Sequence, residues 1–463
     1  MILIYFIIAI TVCGLILKSD RQKIFSLTLT FLAVQTLFLL HTVLNRDCVE
    51  LGVFRYDSLG ILFFGTMIPV SIAVFLHGKK YLDNETVKQL RIYHASFVFL
   101  CMSLTGAYFS DNVTLTWVLI EATTLTAALL IYHRRTPRAL EAAWKYVFVC
   151  SIGILIAYLG ILFLSIMLKN RHGGMSFDSL AAAIPYADPL YLKLAFVLVL
   201  TGYSCKMEFF PLYPIGIDAN HAAPAPMSAF LSTALVNMGF VSVLRIYRLM
   251  SASPVFEWTQ NVMFVAGMAS LIVSAIYIAQ VRHCKRLFAY STVENMGLVL
   301  LILSVGKAGI PYAVFHMLMH SLIKSTAFLR LSEIGKTYKS YKLENIGGYL
   351  HFSKSGSTVL LLCLVGLTAI PPSALFISEM FVFTELSKNI PVLICLILTS
   401  CIILYFLCHK FLKMIYGQQP DSKIYSSDDR LLLFSQAVLL GLFFIMGICQ
   451  PQWFMDMIYE CMN

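Results

Sequence analysis

The chain has 463 residues, of which 59% are hydrophobic and only 13% are charged. With a mean hydropathy of +0.80, this composition excludes an ordinary soluble protein. A net charge of +10 would suggest nucleic-acid binding in a soluble chain, but basic loops beside membrane helices account for it here. The first apolar run lacks the basic start and the small-residue cleavage site of a signal peptide, so we expect a retained helix.

Apolar runs of about 20 residues recur along nearly the whole chain, and each is long enough to cross the ~30 Å hydrocarbon core as a helix. They predict an all-α integral membrane protein with about 14 transmembrane helices. The candidate spans are 2–17, 24–43, 56–77, 92–110, 112–132, 143–168, 190–213, 224–247, 255–280, 286–306, 308–331, 357–386, 391–416 and 431–450. Most of the 34 lysines and arginines fall in odd-numbered loops, which predicts that these loops face the cytoplasm and that both termini lie outside it.

Polar residues recur at an offset of five spans. Spans five and ten each carry a glutamate, and spans seven and twelve each carry a charge beside prolines that would break a helix. An odd number of spans per unit inverts the second unit, so we predict two inverted five-helix repeats with broken helices 7 and 12. The predicted domains are 1–91 (helices 1–3), 92–250 (first repeat, helices 4–8), 251–416 (second repeat, helices 9–13) and 417–463 (helix 14).

Lys206 lies inside an apolar run and is followed by Pro211 and Pro214. A lysine at membrane depth costs ~3 kcal/mol on insertion scales, so its retention indicates a role in transport. Glu121, near the middle of span five, is its expected partner. The two would form either a structural ion pair or a switchable pair whose separation changes the proton affinity of the lysine.

Span eleven carries His316, His320 and Lys324 at a spacing of i, i+4 and i+8, which places all three on one helical face. Histidine titrates near neutral pH and lysine does so when desolvated, so this stripe is typical of a proton relay. The two histidines could also hold a metal ion, but no third ligand is evident.

Three further polar residues have two interpretations each. Glu294 in span ten is either a functional residue, buried or near the cytoplasmic mouth, or a structural partner for Arg282 or Arg286. His221, at the start of span eight, is either a loop histidine or the mouth of a channel. Glu379 follows a proline pair and would face the interior or water. The predicted polar line at mid-membrane comprises Glu121, Lys206, His316, His320, Lys324 and Glu379.

The 12 cysteines are scattered through apolar runs without a CxxC pair, and the chain has no phosphate-binding loop and no HExxH motif. We therefore expect no metal site and no redox cofactor in this chain.

The segments 206–214 and 221–229 resemble the broken seventh helix and the following loop of antiporter-like subunits. These subunits occur in respiratory complex I, multisubunit cation/proton antiporters and energy-converting nickel–iron hydrogenases. Within this family, the pair Glu294-Asn295 before Met-Gly is similar to the hydrogenase-4 component F and formate hydrogenlyase branch. One departure concerns span eight, where the family often has a lysine and the nearest polar residue here is Asn237.

The resemblance implies a membrane subunit that couples a remote redox reaction to the movement of protons or sodium ions across a prokaryotic cytoplasmic (inner) membrane. It implies other membrane subunits and a peripheral redox module as partners, with the nickel–iron and iron–sulfur centres in those partners. Whether the chain belongs to an oxidoreductase complex therefore depends on its partners. The alternatives are a subunit of a multisubunit sodium/proton antiporter and a non-conducting structural anchor.

Overall fold

The computed structural model describes residues 1–168, 174–418 and 429–462; the loop residues Lys169, Arg171 and Lys423 lie outside the described residues. The helices are α1 (Ile2–Lys18), α2 (Arg21–Leu44), α3 (Ser58–Tyr81), α4 (Val87–Phe109), α5 (Val113–Ile131), α6 (Pro137–Ile166), α7 (Phe177–Ala183), α8 (Pro189–Met207), α9 (Pro214–Ala222), α10 (Ala225–Phe230), α11 (Val236–Met250), α12 (Phe256–Gln280), α13 (Cys284–Ser304), α14 (Ile310–Tyr338), α15 (Tyr349–Phe352), α16 (Lys354–Leu367), α17 (Leu375–Leu386), α18 (Ile390–Tyr416), α19 (Arg430–Ile448) and α20 (Gln452–Glu460). Two short antiparallel strands, β1 (Val49–Glu50) and β2 (Phe54–Arg55), pair with Val49 opposite Arg55.

The prediction of an all-α membrane protein is confirmed. Among the described residues, 11 helices are long and apolar enough to cross a membrane. The three other predicted spans correspond to α1, which has 17 residues, to α14, which carries the polar stripe, and to the broken pair α16 and α17. A π-helical turn, Leu231–Leu235, joins α10 and α11 into one span.

Two spans are interrupted where the sequence has its prolines. Helix α8 ends at Met207 and α9 begins at Pro214, while α16 ends at Leu367 and α17 begins only at Leu375. Proline is favoured in the first turn of a helix because it has no N–H to lose there, so Pro214 starts a new helix and does not continue α8. The predicted breaks in helices 7 and 12 are confirmed.

Two of the spans that carry polar residues are almost entirely buried in the bundle. The α10–α11 span is buried along its whole length and α13 nearly so, whereas α18 presents most of its surface outward. Helices α6 and α8 approach closely at Gly153 and Gly202, since a Cβ added to Gly202 would come within 2.3 Å of the Gly153 carbonyl oxygen. This contact holds the polar side chains of α6 against the end of α8.

Candidate functional site

Lys206 lies in the last turn of α8, next to the helix break, and is 1% exposed. Its ammonium nitrogen donates a hydrogen bond of 3.2 Å to the hydroxyl oxygen of Tyr146 on α6. The same nitrogen lies 5.0 Å from the centre of the Tyr146 ring. A neutral phenol thus provides the nearest polar contact of this buried lysine, and a phenol can both accept and donate a proton.

The expected ion pair between Glu121 and Lys206 is wrong. Among the described residues, no salt bridge joins the two side chains; instead, Ser151 on α6 donates to the Glu121 carboxylate at 2.8 Å. Thr124 donates a longer bond of 3.4 Å. Helix spacing in the sequence does not fix how α5 is rotated about its axis, and here the carboxylate faces α6. The charges of Glu121 and Lys206 nevertheless both act electrostatically on the Cys150 thiol of α6, so the two side chains lie in the same region of the bundle.

Lys324 occupies the middle of α14 and is completely buried. Its ammonium nitrogen donates to the carbonyl oxygen of Phe288 at 2.7 Å, and it is attracted electrostatically by two carboxylates, Glu294 and Glu208. Glu294 was also interpreted as a partner for Arg286, but that arginine pairs with Asp218 at 2.7 Å. Glu294 is therefore an interior residue that faces Lys324.

The two histidines of the predicted stripe have different surroundings. His316 contacts the side-chain oxygen of Asn295 at 3.1 Å and the hydroxyl of Ser378 at 2.8 Å, which links α14 to α13 and α17. His320 is fully buried, and neither of its ring nitrogens has a hydrogen-bond partner among the residues that the structure describes. Among the described residues, no group of three or more His, Cys, Asp or Glu side chains is placed to hold a metal ion.

Glu379 is half-buried on α17, directly after Ser378. Its carboxylate is close enough to that of Glu294 for the two charges to repel each other. Asn237 on α11 exchanges two hydrogen bonds with Ser321 on α14, at 2.8 and 3.0 Å. Both ends of the amide are therefore engaged with one hydroxyl, one helical turn before Lys324.

His221 lies apart from this interior line, on α9 at the face that carries the odd-numbered loops. Its ring meets the ring of His283 edge to face, with 4.2 Å between centroids. The two histidines line a pocket of about 510 Å³ together with exposed basic residues such as Arg138. His221 thus lies on a helix beside a surface pocket, and its role at the mouth of a channel stays a prediction.

Three residues of the site have no role in the sequence-based prediction: Tyr146, Glu208 and Asn295. Tyr146 and Asn295 are uncharged, so a search for membrane charges does not find them. Glu208 stands two residues after Lys206, a spacing that points to different faces on a continuous helix. Its left-handed backbone, φ 58° and ψ 45°, ends α8 and changes the direction of the side chain.

A bundle of membrane helices with two interrupted spans and with lysines, histidines and carboxylates at membrane depth is typical of ion-translocating membrane subunits. A family model, described as NADH:quinone oxidoreductase/Mrp antiporter, TM, matches residues 110–404. The chain belongs to this family, as its sequence indicates. A hydrogenase-4 component F homolog from Methylacidiphilum infernorum is 29% identical over 417 residues, which cover 87% of both chains.

Solved structures agree in fold. A chain of the archaeal membrane-bound sulfane sulfur reductase superposes with a TM-score of 0.87 at 20% identity, covering 100% of this chain and 96% of that one. A chain of respiratory complex I from Thermus thermophilus superposes with a TM-score of 0.80 at 19% identity, covering 96% of each. At these identities the likeness establishes the fold alone.

Proposed function

We propose that this chain is the proton-translocating membrane subunit of an energy-converting hydrogenase-like or complex I-like assembly, in which it couples a remote redox reaction to ion movement. The supporting observation is the pair of buried lysines at the centre of the bundle. Lys206 contacts a phenol, and Lys324 is attracted electrostatically by two carboxylates. Ionisable residues are retained at membrane depth where ions or protons move, because their burial is otherwise costly.

Each residue of the polar line has a role that matches its position in the two proposed repeats, 92–250 and 251–416. A change in the position or charge of Glu121 alters the proton affinity of Lys206 through their shared surroundings. Lys324 is the central relay and His316 and His320 extend it along α14. Glu294 and Glu379 lead from Lys324 toward the exit, since their charges act on one another. Protons suit this set of groups, and sodium remains the alternative ion.

The redox chemistry belongs to partner subunits in this proposal. A peripheral module would carry the nickel–iron and iron–sulfur centres, and other membrane subunits would cover the apolar faces left exposed on the outer helices, such as α18 and α19. This chain would hold no redox cofactor of its own. The basic odd-numbered loops would face the cytoplasm of a prokaryotic cell, with both termini on the other side of the inner membrane.

Two alternatives differ in what the line of residues does. A subunit of a multisubunit sodium/proton antiporter would use the same groups without a redox partner, and the matched family includes such subunits. A structural anchor would not conduct at all, for which Asn237 in place of a lysine is the best argument. Several ionisable side chains held together at membrane depth favour conduction over anchoring.

The identity of the partners separates the first two functions. The tagged chain is purified in mild detergent from native membranes, and co-purifying proteins are identified by mass spectrometry. A nickel–iron large subunit with iron–sulfur partners supports the hydrogenase-like function, and quinone-module subunits would support the complex I-like one. A preparation that contains only small antiporter subunits would contradict a redox-coupled role.

Conduction is tested in everted membrane vesicles that contain the whole complex. Quenching of a pH-sensitive acridine dye reports ion movement while reduced ferredoxin or NADH, whichever the complex oxidises, supplies electrons. We expect Lys206→Ala and Lys324→Ala to abolish quenching without preventing assembly, and the exposed Lys388→Ala to resemble the wild type. Normal quenching in both buried-lysine variants would leave only the anchoring function.

A further inference from the structure

A gap separates the two lysines of the line. Lys206 ends α8 and Lys324 lies on α14, and Asn237 occupies the stretch of α11 where the family often has a lysine. An amide neither gains nor releases a proton near neutral pH, and both ends of this amide are already bound to Ser321. Another group must therefore connect the two lysines if protons pass between them.

Glu208 is the ionisable side chain that reaches toward both sides of this gap. It is 5% exposed, and its carboxylate is attracted by the Lys324 ammonium. On the other side it acts on Tyr146, the residue whose hydroxyl accepts the hydrogen bond from Lys206. Lys206 and Tyr146 are therefore in direct contact, and the Glu208 carboxylate lies near enough to both Tyr146 and Lys324 to act on them electrostatically.

The surroundings of Glu208 keep one carboxylate oxygen available. Asn220 on α9 donates to the Glu208 Oε1 at 3.1 Å, whereas the buried Glu208 Oε2 has no hydrogen-bond partner within the described part of the chain. Gly216 makes room for the group, because a Cβ at that position would lie 2.3 Å from the carboxyl carbon. The backbone of Glu208 is left-handed, a conformation that favours glycine, so a bulky acidic residue is retained here against its backbone preference.

We propose that Glu208 is the proton carrier between Lys206 and Lys324, in place of a basic residue on α11; this inference rests on the proposed function. The Lys206 ammonium gives a proton to the Tyr146 hydroxyl oxygen as the phenol releases its own proton, which water carries to the free oxygen of the Glu208 carboxylate. The resulting carboxylic acid then protonates the neutral amine of Lys324, again through water. One proton moves in each step, no electron is transferred, and each donor returns to its starting form when the line is reloaded.

The test uses the whole complex in everted vesicles and compares dye quenching with electron transfer in the same preparation. Glu208→Gln keeps the acceptor for Asn220 but cannot carry a proton, and Glu208→Gly removes the carboxylate at a backbone position that suits glycine. We expect both variants to lose ion movement by at least about tenfold with electron transfer and assembly retained. The matched control is Glu333→Gln, which removes a different buried carboxylate, on α14, and should resemble the wild type.

Two further readouts distinguish proton carriage from a structural ion pair with Lys324. Adding Asn237→Lys to Glu208→Gln should restore ion movement, because α11 lies against α8 at Gly239 and against α14 at Ser321. The infrared difference spectrum on reduction should contain a carboxylic acid band that is absent in Glu208→Gln and present in Glu333→Gln. If Asn237→Lys does not rescue Glu208→Gln, and if the carboxylic acid band is still present in Glu208→Gln, the inference is overturned in favour of a structural role.

The outcomes also separate this inference from the proposed function. If Lys206→Ala and Lys324→Ala lose ion movement while Glu208→Gln retains it, Glu208 is not the carrier and the proposed function stands. If all three variants move ions normally, the proposed function itself fails.

Discussion

The Tyr146 hydroxyl lies 3.2 Å from the Lys206 ammonium nitrogen, at the point where α8 ends. No carboxylate among the described residues lies within salt-bridge distance of this lysine. A hydrogen bond from an ammonium group to a neutral phenol is weaker than one to a charged carboxylate. The contact therefore suits transfer better than permanent pairing.

Replacing Tyr146 by phenylalanine tests this contact. Tyr146→Phe keeps the ring against Lys206 but removes the group that accepts and passes on a proton. We expect coupled ion movement to fall by about tenfold or more, since positioned proton transfer commonly contributes at least that factor. The measurement is dye quenching per electron transferred in vesicles. Tyr203→Phe, at another buried tyrosine of the same region, should have little effect; equal losses in both variants would contradict a specific role for Tyr146.

Glu121→Gln separates charge from hydrogen bonding on α5. The amide oxygen of glutamine can still accept the bond from Ser151, so the packing between α5 and α6 should persist. The lost negative charge no longer acts in the neighbourhood of Lys206, and we expect coupled ion movement to be abolished while the complex still assembles. Ser151→Ala, which removes the bond but keeps the charge, should retain most of the activity. Full ion movement in Glu121→Gln would exclude this carboxylate from the coupling.

The breaks in helices 7 and 12 were predictable because proline acts locally, through its missing N–H and its fixed φ. The burial of Lys206 and Lys324 was predictable as well, since each stands in an apolar run. The partner of Lys206 was not, because it depends on the rotation of α5 and α6 about their axes, and sequence spacing fixes only positions along one helix. The direction of the Glu208 side chain was not predictable either, because it depends on a left-handed backbone conformation at a residue that is not glycine.

The Asp57–Arg245 pair should be a main source of stability at the face of the even-numbered loops. Arg245 is nearly buried on α11 and donates to both carboxylate oxygens of Asp57, at 3.1 and 3.0 Å. Asp57→Asn keeps the cap on the Gly60 amide but removes the carboxylate that pairs with the guanidinium. We expect a loss of roughly 2 kcal/mol in unfolding free energy, less than for a fully buried pair because Asp57 is partly exposed.

The neighbouring Arg55–Asp178 pair provides the control for this measurement. Asp178 is 67% exposed, and solvent screens its attraction for Arg55. Asp178→Asn should therefore change the thermal unfolding midpoint in detergent by much less than Asp57→Asn. Equal shifts in the two variants would mean that burial of the arginine does not decide the contribution of the pair.

His283, in the loop between α12 and α13, should make the protein sensitive to acid. Burial lowers its pKa to about 3, helped by the nearby charges of His221, Lys285, Arg286 and Lys342. In the unfolded chain the imidazole titrates near its ordinary pKa of about 6.5. Between these two values the unfolded state binds more protons, so stability is lost as the pH falls below about 6.5.

The matched variants are His283→Gln and His351→Gln, the second at an exposed histidine of α15. Glutamine has no titrating group, so His283→Gln should flatten the decrease of the thermal midpoint between neutral and mildly acidic pH. His351→Gln should decrease as the wild type does, because an exposed imidazole loses little hydration on folding. Parallel pH profiles for all three proteins would show that His283 takes up its proton without unfolding, through an opening of the pocket it shares with His221.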